Sequence, residues 1–332
     1  MPADVQFRFM LRRLVAAVLT SAIVAAPVAH ASCGASSCPI ELHALTPNEN
    51  GFMLDLSFQY IDQDRARQGS AFSGEEEHRE LRTINRLTAL QLNAPLSSRF
   101  QFAVTVPFVD RWHEHLDLQR NELERWSFHG IGDVAMQLRT RLLSFDDAVP
   151  KSLWLTTGVK LPTGEKHEPA LGGGENAEVM IVPGSGSVDA IVGLSYQGGV
   201  VRNTVLRGPF GSAVVIPYFV SATYRRNGRG TDDYRLGDEL LLNAGTEYPI
   251  ARRLDVLAQI NARLRAKDDP GTTSENRDLT GGRFLYVSPG LRFELRRNAS
   301  MYAYAQIPLY QHVNGVQLTA PVNYLVGVRQ HF

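Results

Sequence analysis

From Gly51 to Phe332 apolar and polar residues alternate one by one, in segment after segment, and this period limits the fold more than any other feature. In one segment Phe100, Phe102, Val104, Val106 and Phe108 share a face, and Gln101, Ala103, Thr105 and Pro107 share the other. In another, Val134, Met136, Leu138, Thr140 and Leu142 oppose Asp133, Gln137, Arg139 and Arg141. In a third, Val256, Ala258, Ile260 and Leu264 oppose Asp255, Gln259, Asn261, Arg263 and Arg265. A helix mixes such sets around its circumference, whereas a strand separates them. Twelve segments carry the pattern: 51–61, 81–93, 99–111, 131–143, 151–161, 187–198, 212–225, 236–248, 253–265, 283–296, 300–310 and 321–332. The alternation of the second slips between Arg86 and Leu90, as at a bulge.

The connections alternate as well. Long polar loops (62–80, 112–130, 162–186, 266–282) follow odd segments, and short turns such as Ala94–Ser98, Pro249–Arg252 and Arg297–Ala299 follow even ones. Transmembrane β-barrels show this asymmetry, with short periplasmic turns, longer outer loops and an even strand number. The fold class expected is all-β: a transmembrane antiparallel β-barrel, an up-and-down meander of twelve strands, with ten to fourteen compatible with the pattern. Lipid cannot solvate a row of charges, so the apolar set faces lipid and the polar set faces a lumen. The inward set then includes Asp55, Asp133, Arg139, Arg141, Lys160, Asp189, Glu239, Glu247, Asp255, Arg263, Arg265, Arg292 and Glu294. Tyr60, Trp112, Tyr196, Tyr218, Tyr224, Tyr248, Tyr286 and Tyr324 stand near strand ends, where interfacial girdles are expected.

Residues 1–31 read as a signal peptide. Arg8, Arg12 and Arg13 precede an apolar run from Leu14 to Val28, and Ala29-His30-Ala31 fits a cleavage site before Ser32. Removing three arginines and one aspartate from totals of 34 basic and 34 acidic residues leaves 31 and 33, a charge of −2 that offers no footprint for nucleic acid. Residues 32–50 form a periplasmic leader, with 51–332 as the barrel. The leader holds both cysteines, Cys33 and Cys38, a disulfide candidate in an oxidising compartment. It sits at the periplasmic mouth or folds into it, and is too short for a plug domain. The last segment alternates Val322, Tyr324, Val326, Val328, Gln330 and Phe332 against Asn323, Leu325, Gly327, Arg329 and His331. Ending on Phe332, it resembles the C-terminal signal that the barrel-assembly machinery reads, which places the chain in the outer membrane of a Gram-negative bacterium.

Three stretches carry a further resemblance: Gly130-Ile131-Gly132-Asp133-Val134, Gly158-Val159-Lys160-Leu161-Pro162-Thr163-Gly164 and Pro183-Gly184-Ser185-Gly186-Ser187-Val188-Asp189. Together they resemble the transporter-like outer-membrane barrels labelled "MetA-pathway of phenol degradation". The resemblance spans roughly 50–332 and implies transport of apolar or aromatic compounds.

The glycines of these stretches do not follow a strand and open a helix, so they are turn glycines and not a phosphate loop. Asp133, Lys160 and Asp189 fall near the outer ends of adjacent strands, where they form either a structural ion network or a solute filter. With Arg139, Arg141, Glu239, Arg263, Arg292 and Glu294 they make up the lumen and selectivity candidates. Six histidines (His78, His113, His115, His129, His167 and His312) lie in or beside outer loops, and His113-Glu114-His115 is a weak metal candidate against a background of solvated side chains. Asp232-Asp233 and Asp268-Asp269 also fall in outer loops, but no lipase or protease pattern accompanies them. The chain reads as a non-enzyme, with no catalytic residue and no cofactor. The function expected is passive passage of a small solute, with loop 162–186 and its Gly172-Gly173-Gly174 as a constriction or lid. The alternative is a non-conducting barrel that anchors a partner or holds a metal or redox protein at the envelope. Partners expected are outer-membrane lipid and lipopolysaccharide, the assembly machinery and the solute.

Overall fold

The structure, a computed structural model, describes residues 39–40, 51–73, 80–117, 122–145, 149–166, 171, 177, 179–208, 211–273 and 276–332. The signal peptide, Cys33, Cys38, His78, His167 and Gly172–Gly174 lie outside the described residues. Among the described residues fifteen strands follow in chain order. They are β1 (Met53–Gln63), β2 (Arg65–Gly69), β3 (Ala71–Phe72), β4 (Glu80–Pro95), β5 (Phe100–Asp117), β6 (Glu122–Ile131), β7 (Ala135–Phe145) and β8 (Lys151–Lys160). Then come β9 (Asp189–Gly208), β10 (Gly211–Arg226), β11 (Glu239–Ala251), β12 (Leu254–Arg265), β13 (Gly282–Arg296), β14 (Ala299–Thr319) and β15 (Asn323–His331).

Twelve of them, β1, β4, β5 and β7 to β15, form a closed antiparallel barrel in which each pairs with its neighbours in sequence. Closure is made by β15 on β1, in a register that sets Asp55 opposite Arg329 and Tyr60 opposite Tyr324. Just beyond that ladder the Phe332 N–H donates to the Phe52 carbonyl at 2.9 Å. The remaining three strands extend the outer end. The β2–β3 hairpin pairs with the top of β14, and β6 pairs with the upper half of β5.

Burial follows the period. Phe58, Leu90, Phe108, Val220, Ile260 and Val326 point outward and are exposed, while Ser57, Gln59, Gln91, Thr105, Asn261 and Asn323 are buried on the inward face. An exterior of this kind is stable only in hydrocarbon. Inside, unlike a soluble core, the side chains bond one another across strands: Asn261 donates to Asn243 at 2.8 Å, Ser288 to Asn261 at 2.6 Å and Asn323 to Gln306 at 2.9 Å. Such bonds offset the desolvation that makes a buried amide costly.

Three expectations need correction. The slip at Arg86 to Leu90 is not a bulge, because β4 keeps register with both β1 and β5 through it. Leu87 and Ala89 are simply apolar residues on the inward face. The stretch 112–130 is not an outer loop, since β5 runs on to Asp117 and β6 returns beside it. Tyr286 belongs to no girdle: it is buried on the inward face beside Phe284, Leu241 and Val313. Glu294, expected inside, shares the strand face of inward Arg292, next to the β13–β14 turn.

One hairpin overshoots the wall. β9 pairs with β8 only from Asp189 to Gln197, and β10 pairs with β11 only from Tyr218 to Arg225. Beyond those points the two strands continue against each other from Gly198–Tyr218 as far as Gly208–Gly211.

Candidate functional site in the lumen

The three glycine-rich stretches meet at one place. On β5 the partner changes at Pro107: residues 100–105 pair with β7, and residues from Phe108 upward pair with β6. Between β6 and β7 the chain bends through Gly132-Asp133-Val134, tied by Gly132 N–H to the Pro107 carbonyl at 2.8 Å. Thr163 secures the same bend, accepting from Val134 N–H at 2.8 Å and donating to the Gly132 carbonyl at 3.0 Å. The bend turns Asp133 inward.

There the Lys160 ammonium lies 2.7 Å from Asp133 and 2.9 Å from Asp189. All three side chains are fully buried. Asp133 also accepts from the backbone of Gly164 and Ser185, each at 3.0 Å, and from the Ser185 hydroxyl at 2.8 Å. Asp189 accepts from the Ser187 hydroxyl at 2.7 Å and from Gly228 N–H at 3.0 Å. Lys160 bonds Ser185 as well. Two carboxylates surround one ammonium, and every described contact is internal, as in a lock that fixes segment 183–189 to the wall. The glycines are needed for close approach: a Cβ on Gly184 would stand 2.5 Å from the Gly164 backbone.

Above this lock the chain folds into the barrel. Ile181 and Val182 pack on Trp126 and Phe128 of β6, and Val179 packs on Tyr234 and Leu236. Arg111 of β5 donates to the carbonyls of Ile181 and Val182, and to Asn85 at 2.5 Å. Residues 179–187 thus form an inward strap across the outer half of the lumen. Residues 179–186 of it belong to the second half of loop 162–186.

Other inward charges form three further groups. Glu239 lies 2.9 Å from Arg225 and 3.9 Å from Arg265, and bonds Arg263. Arg265 also binds Asp268, which accepts from Tyr234 at 2.8 Å, so Asp268 is part of the buried structure and not of an open acidic loop. Toward the short-turn end, Arg329 binds Asp55 at 2.9 Å, and Arg292 binds Asp255 at 3.0 Å and bonds Glu247. On the facing wall Arg139 and Arg141 of β7 stack on Trp154 of β8, with guanidinium carbons 5.1 and 5.5 Å from its ring. Outside the barrel, Asp269 ties two outer loops, and its carboxyl is held below the ordinary range by Gly271 N–H and by Arg229.

His113 and His115 are strand residues on the inward face of β5, not loop residues. The two rings lie 5.8 Å apart, both against Trp126, with His113 2.8 Å from the Thr83 hydroxyl and His115 3.3 Å from Glu124. Among the described residues no group of three or more His, Cys, Asp or Glu is placed to hold a metal ion. At the other end, Ile40 of the leader is buried among Leu257, Tyr302, Tyr304 and Leu325, all on inward faces. Sequence reasoning looked to loop 162–186 for a constriction but singled out neither Val179–Val182 nor Ile40; the apolar run Val179–Val182 inside a polar loop was the one signal for the first.

No family model matches the chain, and no curated protein does. Solved structures do. An outer membrane channel from Pseudomonas putida F1 superposes with a TM-score of 0.61 at 11% identity, covering 89% of this chain and all (100%) of that one. In fold, this is an outer-membrane barrel. The shared plan is a closed antiparallel barrel, here with an apolar outer face. The transport unit of the autotransporter AIDA-I from Escherichia coli matches at a TM-score of 0.49 and 9% identity, over 88% of this chain and 93% of that one. A Pseudomonas aeruginosa FadL homologue matches at 0.43 and 10% identity, over 94% and 99%.

Proposed function

We propose that this barrel is a channel for the passive passage of a small solute across the outer membrane, constricted on its outer side by the strap 179–187. The observation that carries the reading is the strap itself. It lies inside a charged, polar lumen, and its stretch Val179–Val182 is held by Arg111 and by packing on Trp126, Phe128, Tyr234 and Leu236, contacts that rearrange without opening the wall. A twelve-stranded barrel leaves a narrow path once side chains and a strap occupy it. The Pseudomonas putida barrel of the same plan is described as a channel, which gives the reading a precedent. The apolar or aromatic solute class is what the resemblance in the three glycine-rich stretches implies. Asp133, Lys160 and Asp189 act in this reading as the lock that seats the strap, while Glu239, Arg263, Arg292, Arg139 and Arg141 set the field along the path. Lipopolysaccharide and the assembly machinery are the envelope partners such a barrel meets.

Single-channel conductance in planar bilayers tests this. Deleting 167–182 spares the lock, so the variant is expected to fold and to conduct more than the parent. A barrel sealed both before and after the deletion would overturn the channel reading. The hairpin of β9 and β10 favours a second reading, an anchor for a periplasmic partner, because it projects past its neighbours. That reading gains if the sealed barrel retains a periplasmic protein only when residues 199–216 are present.

A further inference from the structure

We infer that Arg283 and His312, side by side on the outside of the wall where its apolar band ends, form a seat for a phosphate of lipopolysaccharide; this rests on the barrel fold and not on the channel reading. Leu295, Phe293, Leu291, Pro289, Val287 and Leu285 occupy successive outward positions of β13. They span about 33 Å of strand, which a tilt of about 40° reduces to roughly 25 Å across the membrane, the height of a lipid-facing band. Arg283, the next outward residue, is exposed and stands where hydrocarbon gives way to headgroups. β13 begins after the long loop 266–281, so this is the outer end of the wall. Lipopolysaccharide, the lipid of that leaflet, carries its phosphates where its sugars meet its acyl chains.

His312 of β14 stands directly opposite Arg283, and Leu264 of β12 opposes it on the other side. Neither neighbour is acidic. His312 is held from two sides: its ring stacks on Tyr310, with centroids 6.4 Å apart and planes 7° apart, and its Nδ1 lies 3.0 Å from the Ser70 hydroxyl. With that hydroxyl donating, Nε2 carries the ring proton and can donate to an anionic oxygen. The guanidinium supplies the planar fork that matches a phosphate. Leu264, Leu309 and Tyr310 beside them are exposed, an apolar surface for acyl chains with a ring of the kind that membrane interfaces favour. On β4 the outward arginines of this end are bonded to carboxylates of the wall, Arg86 to Asp110 at 3.2 Å and Arg82 to Asp62 at 2.6 Å. An exposed arginine flanked by leucine and histidine at the edge of hydrocarbon is instead placed to meet an anionic lipid.

The probe is lipid A carrying both its phosphates, added to the full barrel refolded in detergent, with binding read by native mass spectrometry. The parent is expected to bind it saturably. Arg283→Gln with His312→Gln is expected to weaken that binding about tenfold or more, the loss of a charge-assisted bond. Arg297→Gln takes one charge from an exposed turn at the other end of the wall and is expected to change nothing; heat-modifiable gel mobility confirms that each variant is folded. Lipid A stripped of its phosphates is expected to bind the parent and the double variant alike, and phosphatidylglycerol and inorganic phosphate are expected to compete poorly. Lipid A binding unchanged in the folded double variant, or phosphatidylglycerol bound as tightly as lipid A, would overturn the seat. Conductance plays no part in this readout, so a sealed barrel leaves the seat standing, and a failed seat leaves the channel reading standing.

Discussion

Lys160→Met removes the only ammonium described between Asp133 and Asp189 and leaves their carboxylates buried at 3% and 0% exposure. The methionine matches the stem in length, so the loss is mainly one of charge. Removing one member of a buried ion pair costs about 3–5 kcal/mol, because the survivor stays in a medium that solvates it badly. Here two survivors also repel, which places the effect at the upper end, roughly a thousandfold or more in the unfolding equilibrium. Urea unfolding of the refolded barrel in lipid vesicles reads this as a lower midpoint, with tryptophan emission following Trp126 beside the strap. The cause is then tested by removing the repulsion itself. Asp133→Asn with Lys160→Met, which leaves one carboxylate without a charged neighbour, should fall between the parent and the single variant. A deficit equal in the single and double variants would show that Lys160 acts through packing, and the electrostatic account of the lock would be wrong.

Glu239→Gln leaves Arg225, Arg263 and Arg265 clustered without their shared anion, and a loss of about 3–5 kcal/mol in the same unfolding assay is expected. Gly184→Ala sets a methyl 2.5 Å from the Gly164 backbone; with no side chain to yield, it should destabilise by about 1–3 kcal/mol and raise conductance by unseating the strap. Trp126→Ala removes the floor on which Ile181 and Val182 rest, at about 3–5 kcal/mol for a large buried ring, and protease cleavage near residue 180 should rise with it. Phe332→Ala leaves the backbone bond to Phe52 in place and removes a ring that is 74% exposed. If Phe332 is an assembly signal, the variant should lose yield in cells and refold normally in detergent.

The wall was legible because its period is local. Each of the twelve expected segments overlaps a barrel strand, and even the inward parity of Asp133, Lys160 and Glu239 follows from neighbours two residues away. What the period does not carry is where a strand stops being wall. β5 keeps alternating from Phe100 to Asp117 while its partner changes from β7 to β6 at Pro107, so His113 and His115 looked like loop residues. Tyr286 was misread for a related reason, since a ring near a strand end suits a girdle by position, and only parity sends it inward. The seat of the strap was not legible, beyond the choice of loop 162–186, because no period marks it: Val179–Val182 is a short apolar run among polar residues. Its place depends on Arg111 and Trp126, fifty or more positions away. Asp133, Lys160 and Asp189 could be named one by one from the strands that carry them, but their meeting required the bend at Gly132, which is a matter of three dimensions.

The register of β15 on β1 has a consequence for the order of assembly. Every other pairing in the wall joins strands close in sequence, and the lock links Asp133, Lys160 and Asp189 over three successive strands, so both can form in an open, curling sheet. The seam joins residues some 270 positions apart, as in the bond from Arg329 to Asp55. Bringing such distant segments together costs about 2 kcal/mol more in chain entropy than closing a 20-residue hairpin. The seam is therefore the last ladder to zip and the first to part, and its buried clasp, Arg329 with Tyr302 on Asp55, works as the zipper's stop.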